Sequence, residues 1–175
     1  MARLVRRHGP APIGTRPLFA ALVRAIVSQQ LSTHAAAAIF GRIEQRVGMD
    51  PAKLSRVRPA TLRKLGLSHT KSACVRDVAK RMMRGALDDL SALPDEEVST
   101  RLVEIRGIGP WTAQMVMIFS LGRPDIWPIG DAGIQRAAHN LYAVDLEGLE
   151  ELGESFRPYR SHAAWYLWRS LDDAE

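Results

Sequence analysis

The sequence predicts an all-α protein, and three observations carry that expectation. Apolar residues recur at three- and four-residue spacing through most of the chain. No stretch shows the alternation of a strand. Pro, Ser, Asp and Gly fall where helices would begin and end. With 175 residues, 46% of them hydrophobic, the chain is globular and long enough for one domain with a substantial core, or for two small lobes sharing one cleft. One domain covering residues 1–175 is the expected organisation.

Residues 1–16 are basic, carry Pro10, Pro12 and Gly14, and read as an irregular lead-in. Pro17 suits a first helical turn, and Leu18, Phe19, Leu22, Val23, Ile26 and Val27 give one buried face to a helix that stops around Ser28-Gln29-Gln30. Ser32 caps the next helix, which runs through Ile39, Phe40, Ile43 and Val47 to Gly48. Asp50-Pro51 and Pro59 start two short helices, and Gly66 ends the second. Ser68 caps a longer one through Val75, Val78, Ala79 and Met82, closed by Gly85. Leu87, Leu90 and Leu93 mark a short helical or turn segment. Pro94-Asp95-Glu96-Glu97 is an acidic helix start that suits the helix dipole, followed by apolar Val98, Leu102, Val103 and Ile105. A helix from Pro110 to about Leu121 comes next, then one opening at Asp131 and a short one with Leu149, Leu152 and Phe156. The last starts at Pro158 and carries Ala163, Trp165, Leu167, Trp168 and Leu171, for eight to ten helices in all.

A net charge of +5 suits an anionic partner. The single cysteine, Cys74, excludes an intrachain disulfide framework, a four-cysteine zinc site and a cysteine-ligated iron–sulfur cluster, and makes a reducing cytoplasm the expected compartment. Arg3, Arg6 and Arg7 are not followed by an apolar signal core, and the longest apolar runs are far too short to span a bilayer, so no membrane partner is expected. His34, His69, His139 and His162 have no metal-ligand spacing.

The chemistry concentrates in Leu102 to Asp131, with a hairpin motif at about residues 95–121. Gly107 and Gly109 allow backbone angles that other residues resist and let a ligand approach the main chain. Pro110 is preset for a first helical turn, so the N–H groups of Gly109, Trp111 and Thr112 stand at a helix N-terminus, a ready anion site. A plain helix–helix turn is the competing reading of the same glycines. Asp131 has the position of an N-cap, and a fixed carboxylate can stabilise an oxocarbenium-like centre or orient and deprotonate a water. A cap with no chemistry is its competing reading, and Asp125 is its local rival.

Ile105-Arg106-Gly107-Ile108-Gly109-Pro110-Trp111-Thr112-Ala113, through Asp131, resembles the helix–hairpin–helix DNA glycosylase superfamily, and within it the 3-methyladenine DNA glycosylase II branch, which removes alkylated bases. Ile26 to Ser32 resembles the family's early helix–turn, and Arg157 to Ser161 with Trp168 resembles its last helix, so the likeness covers about residues 17–170. It implies two helical lobes with a cleft between them, and a monomer that acts on double-stranded DNA containing alkylated bases in base excision repair, nucleoid-associated if bacterial. It implies Asp131 as the catalytic carboxylate, Trp111, Trp168 and Met115 as the base pocket (Tyr159 with less weight), and Gln30 as the plug that fills the gap left by a flipped nucleotide. Gly107, Gly109 and Thr112 would meet the DNA backbone. Backbone carbonyls of Val103, Ile105 and Ile108 would hold a monovalent cation bridging to a phosphate, with no other cofactor required.

Bifunctional members of that family carry a lysine at position 111, which forms a Schiff base and permits strand cleavage. This chain has Trp111, so the expectation is a monofunctional hydrolase without lyase activity, whose indole face suits a cationic alkylated purine. The family's longest members add an N-terminal β-rich domain that this chain does not show, which points to small lesions such as 3-methyladenine. Arg24, Lys71, Arg106, Arg123 and Arg136 are candidates for phosphate contacts. Two alternatives stand beside the enzyme: a non-catalytic helix–hairpin–helix DNA-binding module and a purely structural helical domain.

Overall fold

A computed structural model of the chain describes residues 1–173. Among these residues there are eleven α-helices and no strand: α1 Ala2–His8, α2 Leu18–Ser28, α3 Thr33–Arg46, α4 Pro51–Arg56, α5 Pro59–Lys64, α6 His69–Met83, α7 Asp95–Val103, α8 Pro110–Phe119, α9 Ala132–Tyr142, α10 Leu149–Glu154 and α11 Arg160–Asp172. A 3-10 turn, Leu90–Ala92, lies between α6 and α7. The all-α expectation is correct, and most boundaries fall where the capping residues put them. Ser32 accepts a bond from the Ala35 N–H (3.3 Å), Asp50 from Ala52 (2.8 Å), Ser68 from Lys71 (3.2 Å) and Asp131 from Ile134 (2.8 Å). Each such cap contributes about 1 kcal/mol.

Three local expectations need correction. Residues 2–8 form α1 instead of an irregular lead-in. Leu4 is buried, Arg6, Arg7 and His8 sit in the last turn where cations suit the dipole, and Gly9 at φ 68° ends the helix. α11 supports this short helix: the Tyr166 hydroxyl donates to the Gly9 carbonyl (2.7 Å), and His8 pairs with Asp173 (2.9 Å). Next, α8 stops at Phe119, two residues early, beside the close backbone approach of Gly14 and Gly122. A Cβ on Gly14 would stand 2.8 Å from the Gly122 Cα. Finally, α11 begins at Arg160, not Pro158. Its first turn is tied to another loop: the Arg160 N–H points at the Asp125 carboxylate (3.4 Å) and the Ser161 N–H donates to the Pro124 carbonyl (2.9 Å).

The chain divides into two compact units, residues 16–116 and residues 1–15 with 117 onward. In the first, α6 is the central element and packs against α2, α4 and α5, while α3 covers α2. Leu22, Ile26, Ile43, Leu54, Leu62, Leu90, Leu102 and Ile105 are fully buried. In the second, α11 packs against α9 and α1. Its core is Trp127, Ile134, Ala137, Ala138, Leu149, Ala164 and Leu167, edged by Phe156, Trp168 and Leu171. Gly153 lets Trp127 into that core, since a Cβ there would lie 2.5 Å from the indole nitrogen. No helix among the described residues is long and apolar enough to cross a membrane.

Candidate active site and hairpin

In the unit of residues 16–116, α7 ends at Val103 and the chain turns through Ile105 to Gly109 into α8. The Ile108 N–H closes the turn on the Ile105 carbonyl (2.9 Å), and the Ala113 N–H bonds the Gly109 carbonyl (3.0 Å). The two glycines do different work. Gly107 has φ 93°, and a Cβ on it would stand 3.1 Å from the Cys74 Sγ, so both conformation and packing against α6 require glycine. A Cβ on Gly109 would meet nothing within 4 Å, which leaves open space over the start of α8. Burial against this turn pushes the Cys74 thiol up to about 11, with the charge of Asp77 adding to it.

The Gln29 side chain, which the sequence places only in a turn, spans to the hairpin. Its amide nitrogen donates to the Gly107 carbonyl and to the Thr112 hydroxyl, both at 2.9 Å. Thr112 is buried, Trp111 is half-buried and Met115 is 7% exposed. Gln30 is exposed and adopts φ 55°, an uncommon left-handed conformation for a residue with a side chain. Leu31 beside it is also exposed. Lys71 has a structural use in the position where a phosphate contact is one candidate role. Its ammonium donates to the carbonyls of Val27 (2.9 Å) and Gln29 (2.6 Å) at the end of α2, and burial lowers its pKa. The Arg24 guanidinium lies over the Phe40 ring at 5.4 Å. Arg106 and Arg136 are exposed.

In the other unit, Asp131 caps α9. Its Oδ1 accepts from the Ile134 N–H (2.8 Å) and from the Trp168 indole N–H (2.8 Å). Two donors on one oxygen fix the rotation of the carboxylate. Gly133 makes room for this arrangement: a Cβ there would be 2.9 Å from Asp131 Oδ1 and 3.1 Å from Trp168 Cδ1. Phe119 packs against the Trp168 ring with centroids 5.7 Å apart and planes tilted by 31°. The sequence marks Trp168 as a pocket aromatic but hides its hydrogen bond to Asp131. It points to neither Gly133 nor Phe119. The only local signal is the glycine two residues after a capping aspartate.

Asp125, the rival carboxylate, is consumed by structure. Arg160 chelates it at 2.9 and 3.0 Å, and Arg157 adds a contact at 2.7 Å. Burial pushes its pKa up, but the hydrogen bonds and charge of Arg160, then the charge of Arg157, outweigh this and hold it below the ordinary carboxylate value. The Ser161 hydroxyl adds to the same tie, donating to the Arg123 carbonyl (2.6 Å) and accepting from the Ile126 N–H (2.9 Å). The loop before Asp131 and the indole beside it are therefore both held by α11. Tyr159 is 61% exposed and edge-on to His162, whose Nδ1 is buried without a hydrogen-bond partner and whose pKa burial lowers.

An all-helical chain with a glycine hairpin opening a helix, followed by an aspartate that caps a further helix under an indole N–H, has the architecture of a helix–hairpin–helix DNA repair protein. Residues 23–158 match the family model of the HhH-GPD superfamily base excision DNA repair protein, and the chain belongs to that family. It is 33% identical over 160 residues to DNA-3-methyladenine glycosylase 1 of Schizosaccharomyces pombe, covering 85% of this chain and 70% of that one. It is also 33% identical over 167 residues to the Bacillus subtilis protein YfjP, named as a candidate DNA-3-methyladenine glycosylase. That match covers 86% of this chain but spans only 58% of the relative's length. Among solved structures, the Schizosaccharomyces pombe 3-methyladenine DNA glycosylase bound to abasic DNA matches with a TM-score of 0.88 and 30% identity, over 98% of this chain and 90% of that one. A Bacillus halodurans DNA-3-methyladenine glycosidase matches with a TM-score of 0.75 and 38% identity, over 97% and 82%.

Proposed function

We propose that this chain is a monofunctional DNA glycosylase that excises 3-methyladenine-like alkylated purines from double-stranded DNA in base excision repair. The observation that carries the reading is the Asp131 carboxylate, fixed through Oδ1 by the Ile134 and Trp168 N–H donors at 2.8 Å each. A cap needs only the first of these. The second adds a fixed orientation, which electrostatic catalysis requires. The names of the relatives support the same substrate class.

In this mechanism the damaged nucleotide leaves the stack, and Gln30 takes its place in the duplex. The Trp111 face is assigned to the cationic purine, and Met115 and Trp168 are each assigned to base binding as well. The C1′–N bond breaks with its electron pair going to the base, which departs neutral. Asp131 stabilises the positive charge that grows on the sugar. Water adds at C1′ and loses its proton to the carboxylate or to solvent, leaving an abasic site on an intact strand. No amine stands at position 111 to form a Schiff base, so no lyase step follows.

The N–H groups at the start of α8, with Gly107, Gly109 and Thr112, are assigned to a DNA phosphate. Val103, Ile105 and Ile108 fit the monovalent-cation role, because they present carbonyls at the C-terminal end of α7 and in the turn after it. The Ile105 carbonyl accepts one bond, from Ile108, and retains a lone pair. The ion, when bound, would supply positive charge toward the phosphate. The protein is proposed to work as a monomer on chromosomal DNA with no other cofactor.

Alkylated duplex DNA tests this directly. Free 3-methyladenine should appear with wild type and be strongly reduced with Asp131→Asn, and strand breaks should appear only after alkali. Equal release by the Asn variant would overturn the catalytic role of Asp131. DNA binding without any release would leave the non-catalytic module, and cleavage before alkali would reject the monofunctional reading.

A further inference from the structure

We infer that Gln29 and Lys71 are positioning residues that lock the Gln30 turn to the hairpin, so that the plug and the phosphate grip act as one rigid piece. The inference rests on the glycosylase reading for the role of Gln30, and on geometry within residues 16–116 for the rest. Three contacts close a triangle. Lys71, on α6, holds the Val27 and Gln29 carbonyls at 2.9 and 2.6 Å. Cys74, one turn along α6, backs Gly107, where a Cβ would come within 3.1 Å of its sulfur. The Gln29 amide joins the other two corners through the Gly107 carbonyl and the Thr112 hydroxyl, each at 2.9 Å.

Gln30 gives this triangle its purpose. A φ of 55° is costly for a residue with a side chain and persists only where the surroundings impose it. Here the residue before it is held at both its carbonyl and its side chain. The bonds are specific to an amide: both hydrogens of the Gln29 nitrogen are used, on two acceptors, so a carboxylate at that position would face the Gly107 carbonyl with no proton to give. A rigid link of this kind means that gripping the phosphate sets the depth at which Gln30 enters the duplex.

The test compares Gln29→Ala, Gln29→Glu and Lys71→Met with wild type by the fluorescence of a 2-aminopurine placed beside an abasic-site analogue, which reports unstacking. Amide exchange of residues 28–32 and 105–112 is followed in the free proteins. Wild type should enhance the fluorescence, and Gln29→Ala should lower the unstacking equilibrium at least about fivefold, the low end for the loss of two neutral hydrogen bonds. Gln29→Glu should do no better, and both turns should exchange faster in all three variants. In a Gln30→Ala background, adding Gln29→Ala should have little further effect, because the strut acts through Gln30. Additive losses in that background, or exchange and unstacking unchanged in the single variants, overturn the strut. Enhancement absent from wild type itself would instead overturn the reading of Gln30 as a plug, and with it this inference, whatever the exchange rates show.

Discussion

Trp168→Phe separates the two jobs an indole could have beside Asp131. Phenylalanine keeps an aromatic ring to pack on Phe119 and face a base, but deletes the N–H that bonds Asp131 Oδ1 at 2.8 Å. A hydrogen bond to a charged acceptor contributes roughly 1.5–3 kcal/mol. At about 1.4 kcal/mol per decade, its full loss in the transition state would slow the reaction ~10- to 150-fold. The Ile134 N–H still holds the same oxygen at 2.8 Å, so the lower end is expected, about 10- to 30-fold. The assay is single-turnover release of 3-methyladenine from alkylated duplex, with the concentration dependence separating rate from binding. An orientation role predicts a fall in the rate constant with half-saturation changed by less than about twofold. A Phe variant as fast as wild type, with only Trp168→Ala impaired, would refute the reasoning and return Trp168 to a simple pocket wall.

Gly133→Ala should lower the rate of base release by about tenfold or more while leaving Tm within a few degrees. The new Cβ would stand 2.9 Å from Asp131 Oδ1 and must push it or the indole aside, whereas Ala in a helix normally adds roughly 0.5–1 kcal/mol; a fully active variant would show that the carboxylate position is not critical. Stability should fall between pH 9 and 11 through Cys74. Its thiol keeps its proton up to about 11 in the fold but ionises near its ordinary 9.0 when unfolded, so the contribution is complete below 9 and lost as pH rises through 11. Urea unfolding across that range should show the gap between wild type and Cys74→Ala narrowing by roughly 2–3 kcal/mol, and a constant gap would contradict this. Asp125→Asn should lower Tm by about 3–6 °C and lower activity through the loop leading to Asp131, since Arg160 and Arg157 lose their shared carboxylate. Thermal melts alongside release assays check it, and an unchanged melt would show the cluster to be ornamental.

What the sequence makes legible is local. Ser32, Asp50, Ser68 and Asp131 each act on an N–H two or three residues away, so their helices can be placed from neighbours alone. α1 escapes for the opposite reason: seven residues have little helical stability of their own, and α11, more than 150 residues later, holds this helix through the Tyr166 hydroxyl. The start of α11 is misplaced by the same kind of contact, since its first turn is tied by Asp125 and Pro124.

The candidate site divides along the same line. The glycines, Trp111 and Asp131 stand within 25 residues of one another and form a motif. The groups that orient them come from far along the chain, Trp168 to Asp131 across 37 residues and Gln29 to Gly107 across 78. Such partners are invisible to spacing, because an indole N–H or an amide at a distance looks like any core aromatic or surface polar residue. Yet they bear on competing meanings of the same side chain. Asp125 and Asp131 are both aspartates at the ends of one Pro-rich loop. The first is spent on two arginines, whereas the second accepts from a backbone N–H and an indole N–H. A carboxylate saturated by guanidinium groups has its negative charge already matched, so it offers little to a developing oxocarbenium ion. The Ile134 and Trp168 N–H groups orient the second carboxylate, and a fixed orientation is what the proposed electrostatic role at the sugar requires.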